Sequence, residues 1–333
     1  MQLPDNLERA IDLELSRIDL KLLLQATAQL SDLYREVPAS RTKPFISTEA
    51  LRLAYIAVRF PAIYAVITRV LLEIKNIVPD FEPHSLLDLG AGPGTVMWSA
   101  AEVFETLEQI TLIEVDSSLI SLGKRLAQNA EHREIKEAVW SNVDLKQLPE
   151  LPPQDLIVMS YSLGELDPPA AAVLVRKAWE AAQSAVVIVE PGTPKGFACI
   201  REARGELISL GGHVVAPCPH ALACPMSGGD WCHFAQRVQR TSIHRRAKLG
   251  TMSYEDEKFS YFVAAKFPVE PVQSRIIRHP LKREGHVRLE LCTPDGLKRE
   301  TVSRKMKEAY KRARKAEWGS PWEYELDRNS DSS

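Results

Sequence analysis

The chain has 333 residues, 45% hydrophobic and 26% charged, which is ordinary globular usage and room for a core domain with substantial additions. No apolar run approaches the roughly 20 residues that a bilayer-spanning helix needs, so no membrane partner is expected. The net charge of -2 conceals a segregation: residues 1–236 carry 20 Lys+Arg against 30 Asp+Glu, residues 237–315 carry 21 against 9, and residues 316–333 carry 1 against 5.

The amino-terminal MQLPDNLERAIDLELSRIDL has neither the basic start and apolar centre of a secretory signal nor the acid-poor composition of a transit peptide. A cytosolic location is expected on that ground. Residues 1–80 read as a helical extension. NLERAIDLELSRIDLKLLLQATAQLSDLYREV has apolar residues at three- and four-residue spacing, and TEALRLAYIAVRFPAIYAVITRVLLEI continues the pattern, with Pro61 expected to divide it into two helices.

From residue 81 to 197 the rhythm changes. SLLDLG, QITLIEVD, DLIVMSYS and AVVIVEPG are short apolar runs of the kind found in buried parallel strands, and TVMWSAAEVFETL, SSLISLGKRLAQNA and PAAAVLVRKAWEAAQ read as crossover helices. The fold class predicted is α/β, a Rossmann-like domain. Its strongest motif is Asp88-Leu89-Gly90-Ala91-Gly92-Pro93-Gly94, set between a strand and a helix. Glycines at 90, 92 and 94 allow a tight turn and close approach of a ligand, and the next helix offers unpaired amides there. Glu114 and Asp116 end the following strand about 20 residues on, where a ribose would be gripped. The G-x-G-x-G spacing and Asp88, which could meet an ammonium group, favour S-adenosylmethionine over a nicotinamide dinucleotide. Asp144, after a third strand, could accept a hydrogen bond from an adenine amino group.

This segment resembles the class I S-adenosylmethionine-dependent methyltransferases. The resemblance implies that Asp88, Gly90, Gly92 and Gly94 line the methionine side, Asp116 the ribose and Asp144 the adenine. The slot after the fourth strand reads Ser160-Tyr161-Ser162-Leu163-Gly164-Glu165, without the Asn/Asp-Pro-Pro-aromatic motif of amino-methylating members, so no catalytic residue is assigned.

Residues 198–318 are expected to form a cysteine-containing basic module, with 319–333 as a flexible tail. Cys218, Cys224 and Cys232 are spaced C-x5-C-x7-C in a stretch rich in Pro and Gly, and Cys292 ends the strand VRLELC. Four thiolates satisfy either one zinc ion or one iron–sulfur cluster. Cys199 reads as a separate buried thiol, and His220 and His233 read as supporting or surface residues that could replace a cysteine ligand. Strands are expected around YFVAAKF and VRLELC, and a basic helix around SRKMKEAYKRARKAEW. Arg237, Arg240, Arg245, Arg246 and Lys248, with nine Lys+Arg against two Asp+Glu over 298–315, suit phosphate contacts along structured RNA.

The combination LLDLGAGPGT, SYSLGEL, VIVEPGTPKGF and CPHALACPMSGGDWCHFAQR resembles the methyltransferase-like proteins of the mitochondrial small ribosomal subunit and their bacterial relatives. That resemblance implies association with the small subunit, its ribosomal RNA or an assembly intermediate. It also implies a four-iron four-sulfur (4Fe-4S) cluster on cysteines matching Cys218, Cys224, Cys232 and Cys292, and S-adenosylmethionine binding. A monomer is expected off the ribosome. Two enzyme readings stand beside this one: an active S-adenosylmethionine-dependent rRNA methyltransferase, and a small-molecule methyltransferase with a structural zinc, which leaves the basic region unexplained.

Overall fold

The computed structural model describes residues 2–35, 46–239 and 254–323. Three helices come first: α1 (Asp5–Leu15), α2 (Leu20–Arg35) and α3 (Glu49–Ile77). Thr48 caps α3 by accepting a hydrogen bond from the Leu51 amide. Contrary to the sequence expectation, Pro61 does not divide this segment; α3 runs unbroken for 29 residues with Pro61 inside it. A proline there forfeits one backbone hydrogen bond, at a cost of about 3 kcal/mol. The burial of Leu51, Phe60, Ile63, Ile67, Leu71 and other apolar residues on both sides of it offsets that loss. By length and composition α3 could also cross a membrane, but 78% of its apolar window is buried within the fold.

The α/β body follows as β1 (Ser85–Leu89), α4 (Thr95–Val103), β2 (Gln109–Glu114), α5 (Ser117–Ala127), α6 (Arg133–Lys136), β3 (Val139–Asn142), β4 (Gln154–Ser160), α7 (Pro168–Ala181), β5 (Ala182–Pro191) and α8 (Pro194–Ser209). The expected strands and crossover helices are all present. β6 (His213–Ala216), β7 (Phe234–Gln239) and β8 (Tyr254–Ala265) come next, and the eight strands share one sheet in the order β3-β2-β1-β4-β5-β8-β6, with β7 also paired to β8. β1 to β5 run parallel, whereas β8 is antiparallel to β5. Leu86, Leu87, Val158, Val187 and Ile188 are fully buried, as a sheet covered on both faces requires. The chain leaves β1 toward β2 and β3 and returns to β4, so the carboxyl ends of β1 and β4 flank the switch point where such sheets bind ligands.

YFVAAKF, expected in the basic module, therefore lies largely in the main sheet, as the end of β8. A second, antiparallel sheet contains β9 (Arg275–Ile276), β10 (Leu281–Arg283), β11 (His286–Thr293) and β12 (Gly296–Ser303), and α9 (Lys307–Lys315) follows it. Val287, Leu289, Leu291 and Val302 pack on one face against Ala309 and Ala313 of α9 and against Trp322. The segment placed in a tail thus begins packed, with Trp322 only 5% exposed.

Candidate functional site

At the carboxyl end of β1 the three glycines have the left-handed backbone that their lack of a side chain permits: φ is 81° at Gly90, 55° at Gly92 and 84° at Gly94, which caps α4. A methyl group on Gly90 would lie 2.4 Å from the Ser162 Cβ, and one on Gly94 2.8 Å from the Met97 Cε. At Gly92 the nearest atom would be the Tyr55 hydroxyl, 3.9 Å away, so this glycine faces room.

Asp88 is fully buried and neither carboxylate oxygen has a hydrogen-bond partner. Burial first, and the charge of Glu114 second, hold its carboxyl well above the usual range. A buried carboxylate without a partner beside a glycine loop fits a cationic ammonium group. Glu114 accepts the Gly92 amide at 2.8 Å and the Asp116 amide at 2.9 Å. Its carboxyl is raised by burial, against which these amide bonds act. Asp116, expected at the ribose, caps α5 by accepting the Ser118 amide through Oδ1 at 2.8 Å. Glu114 is the carboxylate bonded to the loop, and its position as the last residue of β2 was the signal for it. Asp144 accepts the Lys146 amide at 2.9 Å, and the neighbouring Leu145 would be 3.4 Å from a Gly90 Cβ, so the segment after β3 does reach the loop.

Side chains of three separate segments meet at the slot after β4. Tyr161 has φ 58°, unusual for a tyrosine, and its amide donates to the Val189 carbonyl at 2.8 Å. Its hydroxyl donates to Glu257 at 3.4 Å, Glu257 holds Arg59 through two bonds of 2.9 and 3.0 Å, and Arg59 lies 5.7 Å from the Tyr161 ring centre. Ser162 donates to the Leu89 carbonyl at 2.8 Å. Arg59 and Glu257 lie 198 residues apart, and no sequence pattern links them. Glu190, at the end of β5, accepts the Gly164 amide at 3.0 Å, and burial pushes its carboxyl up to about 7. An acid closing an apolar strand was a usable signal that the sequence reading passed over.

Cys218, Cys224, Cys232 and Cys292 line one chamber, with about 580 Å³ of empty space including its mouth, and Cys199 is not in its wall. Two buried arginines share it. Arg204 donates through Nε to the Cys218 Sγ at 3.3 Å and through Nη2 to the carbonyls of His220 and Leu222. Arg275, 1% exposed, donates to the carbonyls of Pro217 and Gly319 at 2.8 Å each and pairs with Glu73 of α3, while its Nη2 has no partner. His220 lines the chamber, its Nε2 3.8 Å from the Cys292 Sγ. His233 lies outside that wall and stacks on Trp231.

Burial raises the thiols of Cys218 and Cys232, and pushes that of Cys292 up to about 12. Each of the three also feels other cysteines of the set, so the four stand close enough to interact electrostatically. Among the described residues, no three His, Cys, Asp or Glu side chains converge closely enough to hold a single metal ion.

Of the basic residues, Lys305, Lys307, Lys311 and Arg312 are exposed on or beside α9; Lys311 pairs with Glu308, and Arg312 with Glu323. Arg237 pairs with Asp256 and lies over the Tyr254 ring. Arg240, Arg245, Arg246 and Lys248 lie outside the described residues.

Comparison with known proteins adds the family. The model described as mitochondrial small ribosomal subunit Rsm22 matches residues 49–323. The human ribosome assembly protein METTL17, mitochondrial, is 30% identical over 82% of this chain and 62% of its own length. The ribosome assembly protein RSM22, mitochondrial, of Saccharomyces cerevisiae is 23% identical over 81% and 66%, and the Rsm22-cox11 tandem protein 2, mitochondrial, of Schizosaccharomyces pombe is 29% identical over 86% and 45%. The chain thus spans between about half and two thirds of the length of these relatives. Among solved structures it is similar to the magnesium protoporphyrin IX methyltransferase of Synechocystis PCC 6803, at 12% identity over 71% of this chain and 90% of that one, but a TM-score of 0.41 carries no weight for function.

These matches overturn the cytosolic location expected from the amino-terminal residues, because the family and all three relatives are named as mitochondrial and so point to mitochondria instead. The composition of the first 20 residues could not decide the compartment of a chain that spans only part of its relatives. The match over residues 49–323 shows that this chain belongs to the family of the mitochondrial small ribosomal subunit protein Rsm22.

Proposed function

We propose that the chain is an assembly or translation factor of the small ribosomal subunit, built on a methyltransferase fold, that acts by binding rather than by transferring a methyl group. The observation that carries this choice is the slot after β4, where Tyr161, Arg59 and Glu257 interlock and Ser162 is tied to the β1 carboxyl end. A nucleobase entering there would have to displace an ion pair only 20% and 14% exposed. An active rRNA methyltransferase stays as the second reading because of the Tyr161 backbone, a strained conformation of the kind that active sites hold.

S-adenosylmethionine belongs, in this reading, at the glycine loop. Asp88 would receive its ammonium group, Gly92 leaves room for its approach, and Glu114 and Asp144 flank its ribose and adenine ends. The cofactor supplies an electrophilic methyl group; the residues here bind and orient it. A four-iron four-sulfur cluster belongs in the chamber of Cys218, Cys224, Cys232 and Cys292. A zinc ion on the same four cysteines is the alternative, and with Zn–S bonds of about 2.3 Å it would draw the sulfurs to about 3.8 Å from one another. Arg204, which donates to the Cys218 Sγ, and the buried Arg275 would supply positive charge beside the four cysteines when they ligate as thiolates.

Ribosomal RNA is the third partner, and the contrast of charge between residues 1–236 and 237–315 supports it. Gradient sedimentation from cells with and without the chain tests the whole reading. The chain should travel with small-subunit precursors, and its deletion should stall assembly while leaving rRNA methylation intact. Loss of one specific methyl mark would establish the enzyme instead.

A further inference from the structure

The second sheet buries one face under α9 and leaves the other exposed from β10 as far as Arg288 and Arg299, beyond which Cys292 turns into the chamber, and the register fixes what the exposed part carries. Arg283 stands opposite His286, Arg288 opposite both Leu281 and Thr301, and Arg299 opposite Glu290. Directly opposed residues share a face, and so do residues two apart along a strand. Arg283, Arg288 and Arg299 therefore lie on the face turned away from Val287, Leu289, Leu291 and Val302, which pack under α9. Each arginine is one strand over and two residues along from the next. Such diagonal neighbours are about 7–8 Å apart, so the three form a line across β10, β11 and β12.

We propose that this face is the surface that takes the sugar-phosphate backbone of structured RNA, with Arg283, Arg288 and Arg299 each meeting a phosphate. The proposal rests on the RNA-binding reading and names the surface for it. Charge is the first argument. Arg283 and Arg288 are exposed and make no ion pair or side-chain hydrogen bond among the described residues. Arg299, 77% exposed, has only the surface pair with Glu290 at 3.4 Å, which a phosphate can replace at little cost. The Arg304 amide donates to the Gly285 carbonyl, which brings a fourth exposed arginine to the Arg283 end of the line.

Chemistry is the second argument. A guanidinium forks onto two oxygens of one phosphate, so a row of them tracks a phosphodiester chain. Besides its charges the face holds Leu281, His286, Thr301, Ser303 and, at the chamber end, Leu297 and Cys292, and no Phe, Tyr or Trp, so it lacks the platforms on which unpaired bases stack. The α9 helix is the competing cationic surface, its Lys311 and Arg312 held by exposed pairs to Glu308 and Glu323 like that of Arg299 with Glu290, and the test sets the two surfaces against each other.

The test is fluorescence anisotropy of the full chain against an in vitro transcript of the small-subunit rRNA, measured over a range of salt. In R283Q/R288Q/R299Q the slope of log affinity on log salt should fall by about two to three, at about 0.7–0.9 per lost phosphate. R283K/R288K/R299K should keep the slope, which shows that charge and not folding was removed, and K305Q/K307Q/K311Q should change it by less than the arginine triple. If the wild type binds and the glutamine triple binds with an unchanged slope, the surface is wrong while RNA binding stands. If that triple keeps its RNA affinity but no longer travels with the small subunit, the face docks protein and the proposal falls. A wild-type chain that binds no transcript overturns the RNA-binding reading itself.

Discussion

The glycine-loop end and the cysteine chamber both hold a buried charge, and they treat it in opposite ways. At the loop, Asp88 is buried with no partner, while its neighbour Glu114 spends its oxygens on the Gly92 and Asp116 amides. At the chamber, Arg275 is buried deeper than any other arginine among the described residues and is held by Pro217, Gly319 and Glu73. One site leaves a charge waiting for a ligand, and the other uses a charge to brace its walls. Burial alone thus does not say whether a charged side chain is structural or functional; the share of its hydrogen bonds that the fold fills does, none at Asp88 and all but those of Nη2 at Arg275.

The largest expected effect lies on the braced side. Arg275→Met strips the partner from Glu73 and two carbonyls and should cost about 3–5 kcal/mol in urea denaturation. A loss below about 1 kcal/mol would mean that the chamber does not depend on this residue.

Next comes Glu190. Its carboxyl is held up to about 7 against an ordinary 4.5, so between those values the folded chain keeps a proton that the unfolded chain has released. Stability is greatest below the lower value and falls as pH rises through the upper one. Urea midpoints at pH 5 and pH 8 should differ in the wild type by roughly 2–3 kcal/mol more than in Glu190→Gln, whose amide oxygen still accepts the Gly164 amide. Parallel pH profiles for the two proteins would refute the assignment.

On the waiting side the sign reverses. Asp88→Asn removes a buried carboxyl that the fold does not partner and that must take up a proton on folding, so the ligand-free chain should gain about 1–3 kcal/mol in thermal unfolding while calorimetry shows weaker S-adenosylmethionine binding. A variant that loses both stability and affinity would show that Asp88 has an internal partner after all. The smallest effect belongs to Asp116→Ala, which should cost about 1 kcal/mol as a lost helix cap and change cofactor affinity less than Glu114→Gln does.

The same contrast explains what could be read from the sequence. Strands β1, β2, β4 and β5 and the glycine loop are contiguous patterns, and the run from Leu86 to Gly94 carries its own turn geometry, so they were legible residue by residue, whereas β3 has no fully buried residue to mark it. Pro61 was misread because propensity is local, whereas the packing that keeps α3 straight comes from the rest of the fold. Asp116 drew attention as an acid near a strand end, yet one carboxylate there must cap α5 and the other faces the loop, a division set by backbone geometry. Tyr161, Arg59 and Glu257 meet only through folding and left no trace in spacing. The cysteines were found as a set because thiols are rare in this chain, but Arg204 and Arg275, which line the same chamber, look like any other arginines until burial is known.

The most direct test of the account is the metal content of the full chain purified without oxygen. Four iron and four acid-labile sulfide per chain, with a broad absorption band near about 400 nm, is the predicted result, and Cys292→Ser should lose it while Cys199→Ser keeps it. One zinc per colourless chain, or full iron retained in Cys292→Ser, would contradict it.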